Sequence, residues 1–172
     1  MSRLLLRSLS RSQSIAVLLL SLSLLLASCS FNVLQPATLA VIDDAEAAWL
    51  AAPTANYRMT VEIDRPDDLR RSMITVVDHE IVEGVVSYWD DDARKWQEPM
   101  ALNQEQSFPF SVPGLFEMVR GALEESGREE IRVLMAGEPP FPQKIVLGPV
   151  LVDGEPFDQT KATVTVNRFD PQ

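Results

Sequence analysis

The first 28 residues differ in composition from everything that follows and are set apart from the folded domain. Leucine supplies eleven of them, the only charges are three arginines, and the stretch from Ser12 to Asn32 is uncharged. A basic start, an apolar stretch of about a dozen residues and small residues after it are typical of a secretory signal. The sequence therefore predicts a cleaved signal peptide over 1–28.

The predicted signal peptide ends at Leu26-Ala27-Ser28-Cys29, which resembles the lipobox of bacterial lipoproteins. In that family the cysteine thiol receives a diacylglyceryl group, the signal is cut before the cysteine, and the new N-terminus is often acylated. The resemblance implies that Cys29 is the lipid attachment site. Because Cys29 is the only cysteine, an intrachain disulfide is excluded and no other role competes for the thiol.

Two alternatives fit the same leader. It could remain as a transmembrane anchor, although it is shorter than the about 20 apolar residues that a membrane span requires. It could also be an ordinary signal peptide that leaves a soluble secreted protein. For a lipoprotein, the expected location is the cell envelope. In bacteria with two membranes it is the outer membrane, facing the periplasm, because lipoproteins without Asp after the cysteine usually travel there and Ser30 holds that position.

The charge balance restricts the partners of this chain. Removal of 1–28 takes away three arginines and no acid, so the formal net charge moves from −10 to −13. Such a surface disfavours nucleic acid and is repelled by anionic headgroups, so the predicted membrane attachment rests on the lipid. One cysteine and one histidine cannot build a zinc site of several such ligands. We predict neither a cofactor nor a metal ion.

Two helices are predicted from apolar residues that recur at helical spacing. The first spans 37–52, with Thr38 or Asp43 as its N-terminal cap. The second begins after Ser111 and ends at Gly127, with an apolar stripe that faces a core.

Alternating apolar and polar residues predict six strands, over 56–63, 73–77, 80–89, 130–135, 144–147 and 162–169. Residues 64–71 are expected to form a polar turn or loop, and Gly84 to mark a bulge. Short turns, at 78–79, 137–142 and 153–154, favour antiparallel pairing. We predict an α+β fold with an antiparallel sheet of five to six strands and two helices on one face. The signal helix and a lipidated tether, 29–36, precede this single domain, 37–172.

The segment after the leader is similar to an uncharacterised family of bacterial secreted and lipoprotein domains. The matching pieces are Trp49, Asn56-Tyr57, Thr75 to Val82, Leu115-Phe116 and the turn from Gly137 to Pro142. This sequence departs from the family in having Asp78-His79 rather than Asp-Gly in the hairpin turn, and no cysteine in the first strands. The resemblance implies the fold and an envelope location, and it implies no catalytic site.

No catalytic motif is present in the sequence. Asp90-Asp91-Asp92 could attract Ca²⁺, but an EF-hand starting there would require Gly and Glu where Lys95 and Ala101 stand, which favours a solvated loop. His79, the only histidine, could act as a base, although an exposed turn residue is favoured. No G-x-S-x-G occurs, and nothing singles out a carboxylate pair for glycoside hydrolysis.

Aromatic residues between 88 and 110 are the best candidates for a ligand site. They are Tyr88, Trp89, Trp96, Phe108 and Phe110. They could line a groove for a peptide, glycan or apolar ligand, or they could close the open end of the core. Phe141, between two prolines, is a candidate for an exposed apolar contact. The predicted binding residues are therefore Tyr88, Trp96 and Phe141.

Together these patterns predict a membrane-anchored envelope lipoprotein that is not an enzyme and that binds another envelope protein. The alternative is an envelope protein that binds a small ligand or glycan through the aromatic residues. A weak hydrolase is the remaining possibility.

Overall fold

The computed structural model describes residues 33–125, 127–128 and 130–172. The predicted signal peptide and Cys29 lie outside these residues. Three helices are described, α1 (Leu39–Ala51), α2 (Gln104–Ser107) and α3 (Val112–Glu124), and two 3₁₀ turns, Phe108–Phe110 and Asp158–Thr160. The strands are β1 (Gln35–Pro36), β2 (Tyr57–Arg65), β3 (Asp68–Val77), β4 (Glu80–Asp90), β5 (Lys95–Trp96), β6 (Met100–Ala101), β7 (Ile131–Ala136), β8 (Phe141–Leu147), β9 (Val150–Val152), β10 (Glu155–Phe157) and β11 (Ala162–Pro171).

Nine of these strands form one antiparallel sheet in the order β1-β7-β8-β11-β2-β3-β4-β5, with β6 also paired to β4. The α+β class is confirmed, and the six predicted strands are the six long strands of this sheet. The predicted total of five to six strands is wrong. The additional strands, β1, β5 and β6, have two residues each, which is too few to show a period of two. β1 is formed by Gln35 and Pro36, at the end of the predicted tether.

The expectation of a loop over 64–71 is also wrong. β2 continues to Arg65 and β3 starts at Asp68, so the turn consists of Pro66 and Asp67 alone. The strand ends carry polar residues on both faces, which concealed the alternation. Because inward positions alternate along each strand, Arg65 and Arg70 follow the apolar residues of β2 and β3 onto the face that bears the core.

The turn between β3 and β4 is as predicted. Asp78 and His79 have positive φ angles of 50° and 66°, as the two central residues of a type I′ hairpin do. The side-chain oxygen of Asn56 accepts a hydrogen bond from the Asp78 backbone N–H at 2.7 Å. The bulge in β4 falls at Val82, where the register shifts, rather than at Gly84.

Helices α1 and α3 supply the second layer of the core. Each begins at a predicted cap: Thr38 accepts a hydrogen bond from Val41 N–H, and Ser111 accepts one from Gly114 N–H. Apolar side chains of both helices join those of β2, β3, β7, β8 and β11 in one buried cluster. No helix among the described residues has the length and apolar character that crossing a membrane requires.

Arg120 of α3 ties the two helices together through two carboxylates of α1. Its guanidinium lies 2.7 Å from Asp43 and 2.7 Å from Glu46. Residues Leu34–Gln172 form one compact unit, and the buried cluster lies within it. A unit with its own core can fold alone, so the chain after the leader is suited to study in isolation.

Tyr57 gives this core a measurable pH dependence. Its burial raises its pKa to about 12, and the Val112 N–H bond to its hydroxyl, at 3.3 Å, opposes this only in part. An unfolded tyrosine ionises at about pH 10. Since the pKa of Tyr57 is higher in the folded state, its neutral side chain contributes to the free energy of unfolding. This contribution is complete below pH 10 and is lost as the pH rises from 10 to 12.

We therefore expect Tyr57→Phe to remove part of the alkaline loss of stability. Between pH 9 and pH 11, the wild-type free energy of unfolding should fall by about 1 kcal/mol more than that of the variant. Urea unfolding at both pH values measures this difference. Tyr88→Phe is the control and should keep the wild-type decline, because it leaves Tyr57 in place. Equal declines in wild type and Tyr57→Phe would contradict the prediction.

Candidate functional site

The structure separates the predicted aromatic residues. Tyr88 and Trp89 are neighbours on β4 and therefore face opposite sides of the sheet. Trp89 packs edge-to-face against Trp96, with ring centroids 5.5 Å apart. The Arg71 guanidinium lies 4.1 Å from the Trp96 ring centroid on the same face. Tyr88 and Trp96 therefore do not contribute to one site.

Phe141 is part of the core, so the expectation of an exposed contact is wrong. Its side chain is 3% exposed. It is the first residue of β8, and it packs against Trp49 and Phe169 with ring centroids 5.9 Å and 4.6 Å away. The flanking prolines suggested a surface turn, but the turn ends at Pro140 and the strand directs Phe141 inward.

A cleft of about 450 Å³ lies between the inner face of the sheet and the segment that runs from β6 to α3. We call it the Arg70 cleft. Tyr88 and Phe110, both from the predicted aromatic set, line it. Its apolar wall consists of Ile63, Val86, Leu102, Pro109, Phe110 and Met118.

Helix α2, which forms one wall of the cleft, packs close to β4 because a glycine lies at the point of contact. Asn103 and Gln106 form a capping box at α2, with hydrogen bonds of 2.8 Å and 3.1 Å. The fully buried Ser107 then donates to the Asn103 carbonyl at 2.8 Å. A Cβ on Gly84 would clash with the Ser107 hydroxyl, so only glycine allows α2 this close to the strand. The glycine that suggested a bulge thus serves close packing.

The polar residues of the cleft are Arg65, Arg70, Tyr88 and Gln106. Register explains the position of Arg70, which lies opposite Ile63 of β2 and opposite Tyr88 of β4. Its guanidinium carbon is 5.8 Å from the centroid of the Phe110 ring. None of the described lining residues is acidic, so the cleft is positive although the chain as a whole is strongly negative.

The Arg70 guanidinium is incompletely paired. Its Nε is buried and forms no hydrogen bond with any described residue, and the nearest carboxylate oxygen, of Asp68, is 3.5 Å away. The buried Ser72 hydroxyl, two residues along the same face of β3, likewise lacks a partner among the described residues. Leaving a buried polar group unsatisfied costs about 1–3 kcal/mol. Such groups in a folded protein call for an explanation, such as a bound ligand, an ion or an ordered water.

Sequence reasoning missed both arginines of the cleft because it placed them in a loop. The available signal was the even-numbered series Arg70, Ser72, Ile74 and Val76, whose apolar end shows which face points inward. Extending that alternation backwards brings Arg70 onto the core face.

The other predicted polar candidates do not form a catalytic arrangement. His79 is exposed in its turn, which confirms the favoured interpretation. Asp90 accepts a hydrogen bond from the Ala93 N–H at 2.8 Å and closes the turn that follows β4. No group of three or more His, Cys, Asp or Glu side chains within 33–125, 127–128 and 130–172 is placed to hold a metal ion.

A second feature is the β9–β10 hairpin, which is separate from the large sheet. Its base is fixed by Arg128, whose guanidinium donates to the carbonyls of Gly148 and Thr160 at 2.6 Å and 3.2 Å. The Thr160 hydroxyl also accepts a hydrogen bond from Val150 N–H at 2.7 Å. The hairpin nonetheless exposes 40–54% of three apolar residues, Leu151, Val152 and Phe157.

Comparison of the sequence with protein-family models gave no match. Comparison with curated proteins also gave no match. The function is therefore inferred from the residues and their geometry.

We expect Arg70→Met to leave the fold intact, because methionine keeps an unbranched stem and removes the unsatisfied nitrogen. The free energy of unfolding should stay within about 1 kcal/mol of wild type or increase. The matched variant Arg128→Met should lose about 2 kcal/mol or more, since it leaves two carbonyls without their donor. Urea unfolding of both variants compares them. A loss at Arg70 as large as that at Arg128 would show that Arg70 is structural.

Proposed function

We propose that this chain is a lipid-anchored protein of the bacterial cell envelope that binds a small ligand in the Arg70 cleft without transforming it. The observation that carries the proposal is the cleft itself, which has an apolar wall, a polar side and a guanidinium whose Nε lacks a hydrogen bond among the described residues. Small-molecule sites in proteins are typically apolar cavities of about 300–1,000 Å³ with a few polar groups that orient the ligand.

The residues of the cleft favour binding over catalysis. Its described lining includes two arginines, one tyrosine and one glutamine, and no Asp, Glu, His, Ser, Thr or Cys. General acid–base and nucleophilic catalysis mostly use those absent side chains. Arginine stays protonated and the amide of glutamine does not titrate, so Tyr88 is the one polar lining residue of a type used in proton transfer.

The anchor is proposed from the sequence, on the lipobox-like segment and the single cysteine. Only five residues separate Cys29 from Gln35, the first residue of β1. Even fully extended, this connection spans about 20 Å. A lipid on Cys29 would therefore keep the domain near the bilayer surface, where amphiphilic ligands are concentrated.

Metabolic labelling with an alkyne-tagged fatty acid tests the anchor. We expect the wild-type protein to carry the label and to start at residue 29 by mass spectrometry. Cys29→Ala should carry no label and keep its leader, because the thiol is the attachment point. Ser30→Ala, one residue away, is the control and should be labelled. An unlabelled wild-type protein would contradict the anchor and leave the cleft proposal unaffected.

The neutral fluorescent probe N-phenylnaphthylamine tests the cleft, using the chain without its leader (residues 30–172). We expect saturable binding that Met118→Trp weakens, because the larger side chain narrows the cavity. Met73→Trp makes the same change on the exposed outer face of β3 and should bind the probe like wild type. If Met118→Trp also binds the probe normally, the proposed site is wrong.

Protein binding through the β9–β10 hairpin is the second candidate, and the fixed but exposed apolar residues favour it. Val152 and Phe157 share one face of the hairpin, since Val152 pairs with Glu155 and Phe157 with Val150. Leu151 lies on the other face. An isolated two-stranded hairpin is only marginally stable in water. An apolar hairpin whose base is fixed by part-buried hydrogen bonds is therefore suited to docking.

In-cell crosslinking followed by mass spectrometry tests this second candidate. One enriched partner should be lost in the double variant Val152→Ser, Phe157→Ser and kept in Met118→Trp. Leu151→Ser is the control for the opposite face. Partners that persist in the double variant would rule out this face of the hairpin.

A further inference from the structure

We propose that the ligand of the Arg70 cleft is an amphiphile with an anionic oxygen headgroup. The headgroup pairs with Arg70, and the alkyl or ring portion lies along the apolar wall. This inference rests on the proposed function, since it specifies the class of ligand for the same site.

The first argument is the separation of charge and apolar surface within the cleft. Arg65 and Arg70 both lie at the end of the β2–β3 hairpin, where the strands leave the core. The apolar wall is completed from the other side by Phe110 and Met118. A ligand that satisfies both surfaces must itself have a charged end and an apolar end.

The second argument is the sign of the charge. Arg65 forms no ion pair with any described residue, and Arg70 has only the Asp68 carboxylate at 3.5 Å. Some arginines elsewhere in this chain are closely paired: Arg71 is 3.0 Å from Glu62, and Arg120 is 2.7 Å from two carboxylates. In a chain with 25 acids and 15 bases, the cleft keeps its positive charge available.

The third argument is the geometry of the guanidinium. Its five N–H donors form a rigid planar fork that suits carboxylate and phosphate oxygens. The Phe110 ring, 5.8 Å from the guanidinium carbon, helps to fix the orientation of this fork. The buried Nε forms no hydrogen bond with any described residue. An anionic ligand would offset part of this burial cost through its attraction to the guanidinium charge.

The size of the cleft favours a small amphiphile. Its volume of about 450 Å³ is in the lower part of the range for small-molecule sites. One short alkyl chain or one ring system fits this space, in contrast to a two-chain phospholipid. The probes chosen below therefore have a single chain of eight carbons.

The test compares octanoate, octanol and octylammonium, which share the chain and differ in headgroup charge. Binding to residues 30–172 is followed by the NMR shift of the Met118 methyl group, with Met135 in the core as the internal reference. We expect octanoate to bind about tenfold or more tightly than octanol, and octylammonium to bind most weakly. Added salt should weaken the binding of octanoate and leave the binding of octanol unchanged. Octyl phosphate distinguishes phosphate from carboxylate as the preferred source of the anion.

Two neighbouring arginines provide the matched variants. Arg70→Gln should reduce octanoate affinity to that of octanol, and Arg70→Lys should restore part of it through charge without the fork. Arg71→Gln makes the same charge change on the next residue, on the opposite face of β3, and should leave affinity near the wild-type value. Urea unfolding of each variant shows whether the fold is retained.

Several outcomes would overturn the inference. Equal affinities for octanoate and octanol, or equal losses in Arg70→Gln and Arg71→Gln, would show that Arg70 does not select an anion. Stronger binding of octylammonium would do the same. If N-phenylnaphthylamine binds the cleft and none of the octyl probes shifts Met118, the ligand class is wrong while the proposed function stands. If no probe binds, both proposals fail.

Discussion

The register between β2 and β3 is the constraint on which the cleft depends. Side chains alternate across a strand, so a slip of one residue would move every inward residue of β3 to the outer face. In the observed register Ile63 is opposite Arg70 and Val61 is opposite Ser72. The same pairing that buries the apolar half of β3 therefore carries Arg70 into the cleft. The two-residue turn at Pro66-Asp67 leaves little freedom for another alignment.

Arg70 and Arg71 are adjacent in β3 and lie on opposite faces of the sheet, where their surroundings differ. Arg71, on the outer face, pairs with Glu62 and stacks on Trp96, which satisfies its charge and covers an aromatic ring. Arg70, on the inner face, has no carboxylate so close and faces an apolar wall. The Arg70 side chain is 25% exposed, but its buried Nε lacks a hydrogen bond among the described residues. Folded proteins tolerate such local costs at functional sites. Because Arg71 is closely paired and Arg70 is not, the energetic cost of incomplete pairing falls on the residue that lines the cleft.

The sequence was sufficient to predict the elements that have a local periodic pattern or a recognisable turn. The six long strands, the helices capped by Thr38 and Ser111, and the Asp78-His79 turn all have local periods or local turn chemistry. Two-residue strands such as β1 have neither, since they exist only through pairing with a neighbour. Helix α2 was not predicted, because its four residues are too few to show a helical period.

The candidate site was predicted only in part because it depends on tertiary placement. Tyr88 and Phe110 were identified as aromatic, but composition could not tell which of Tyr88 and Trp96 shares a face with Phe110. That distinction follows from strand pairing, which places Trp96 opposite Trp89. Phe141 was misplaced because prolines on both sides indicate a turn, whereas its strand begins three residues earlier than the predicted start at Lys144. Arg70 was hidden by polar residues at the strand ends.

A positive cleft on a protein with a net charge of −10 is consistent with the range of electrostatic forces in salt. At physiological ionic strength the Debye length is about 8 Å, so exposed acids beyond that distance contribute little to the field at Arg70. Charges in a partly apolar cavity are screened less than charges on the open surface. The field inside the cleft is therefore set by Arg65, Arg70 and Asp68 rather than by the net charge. The acidic outer surface can therefore repel anionic headgroups without cancelling the positive charge inside the cleft.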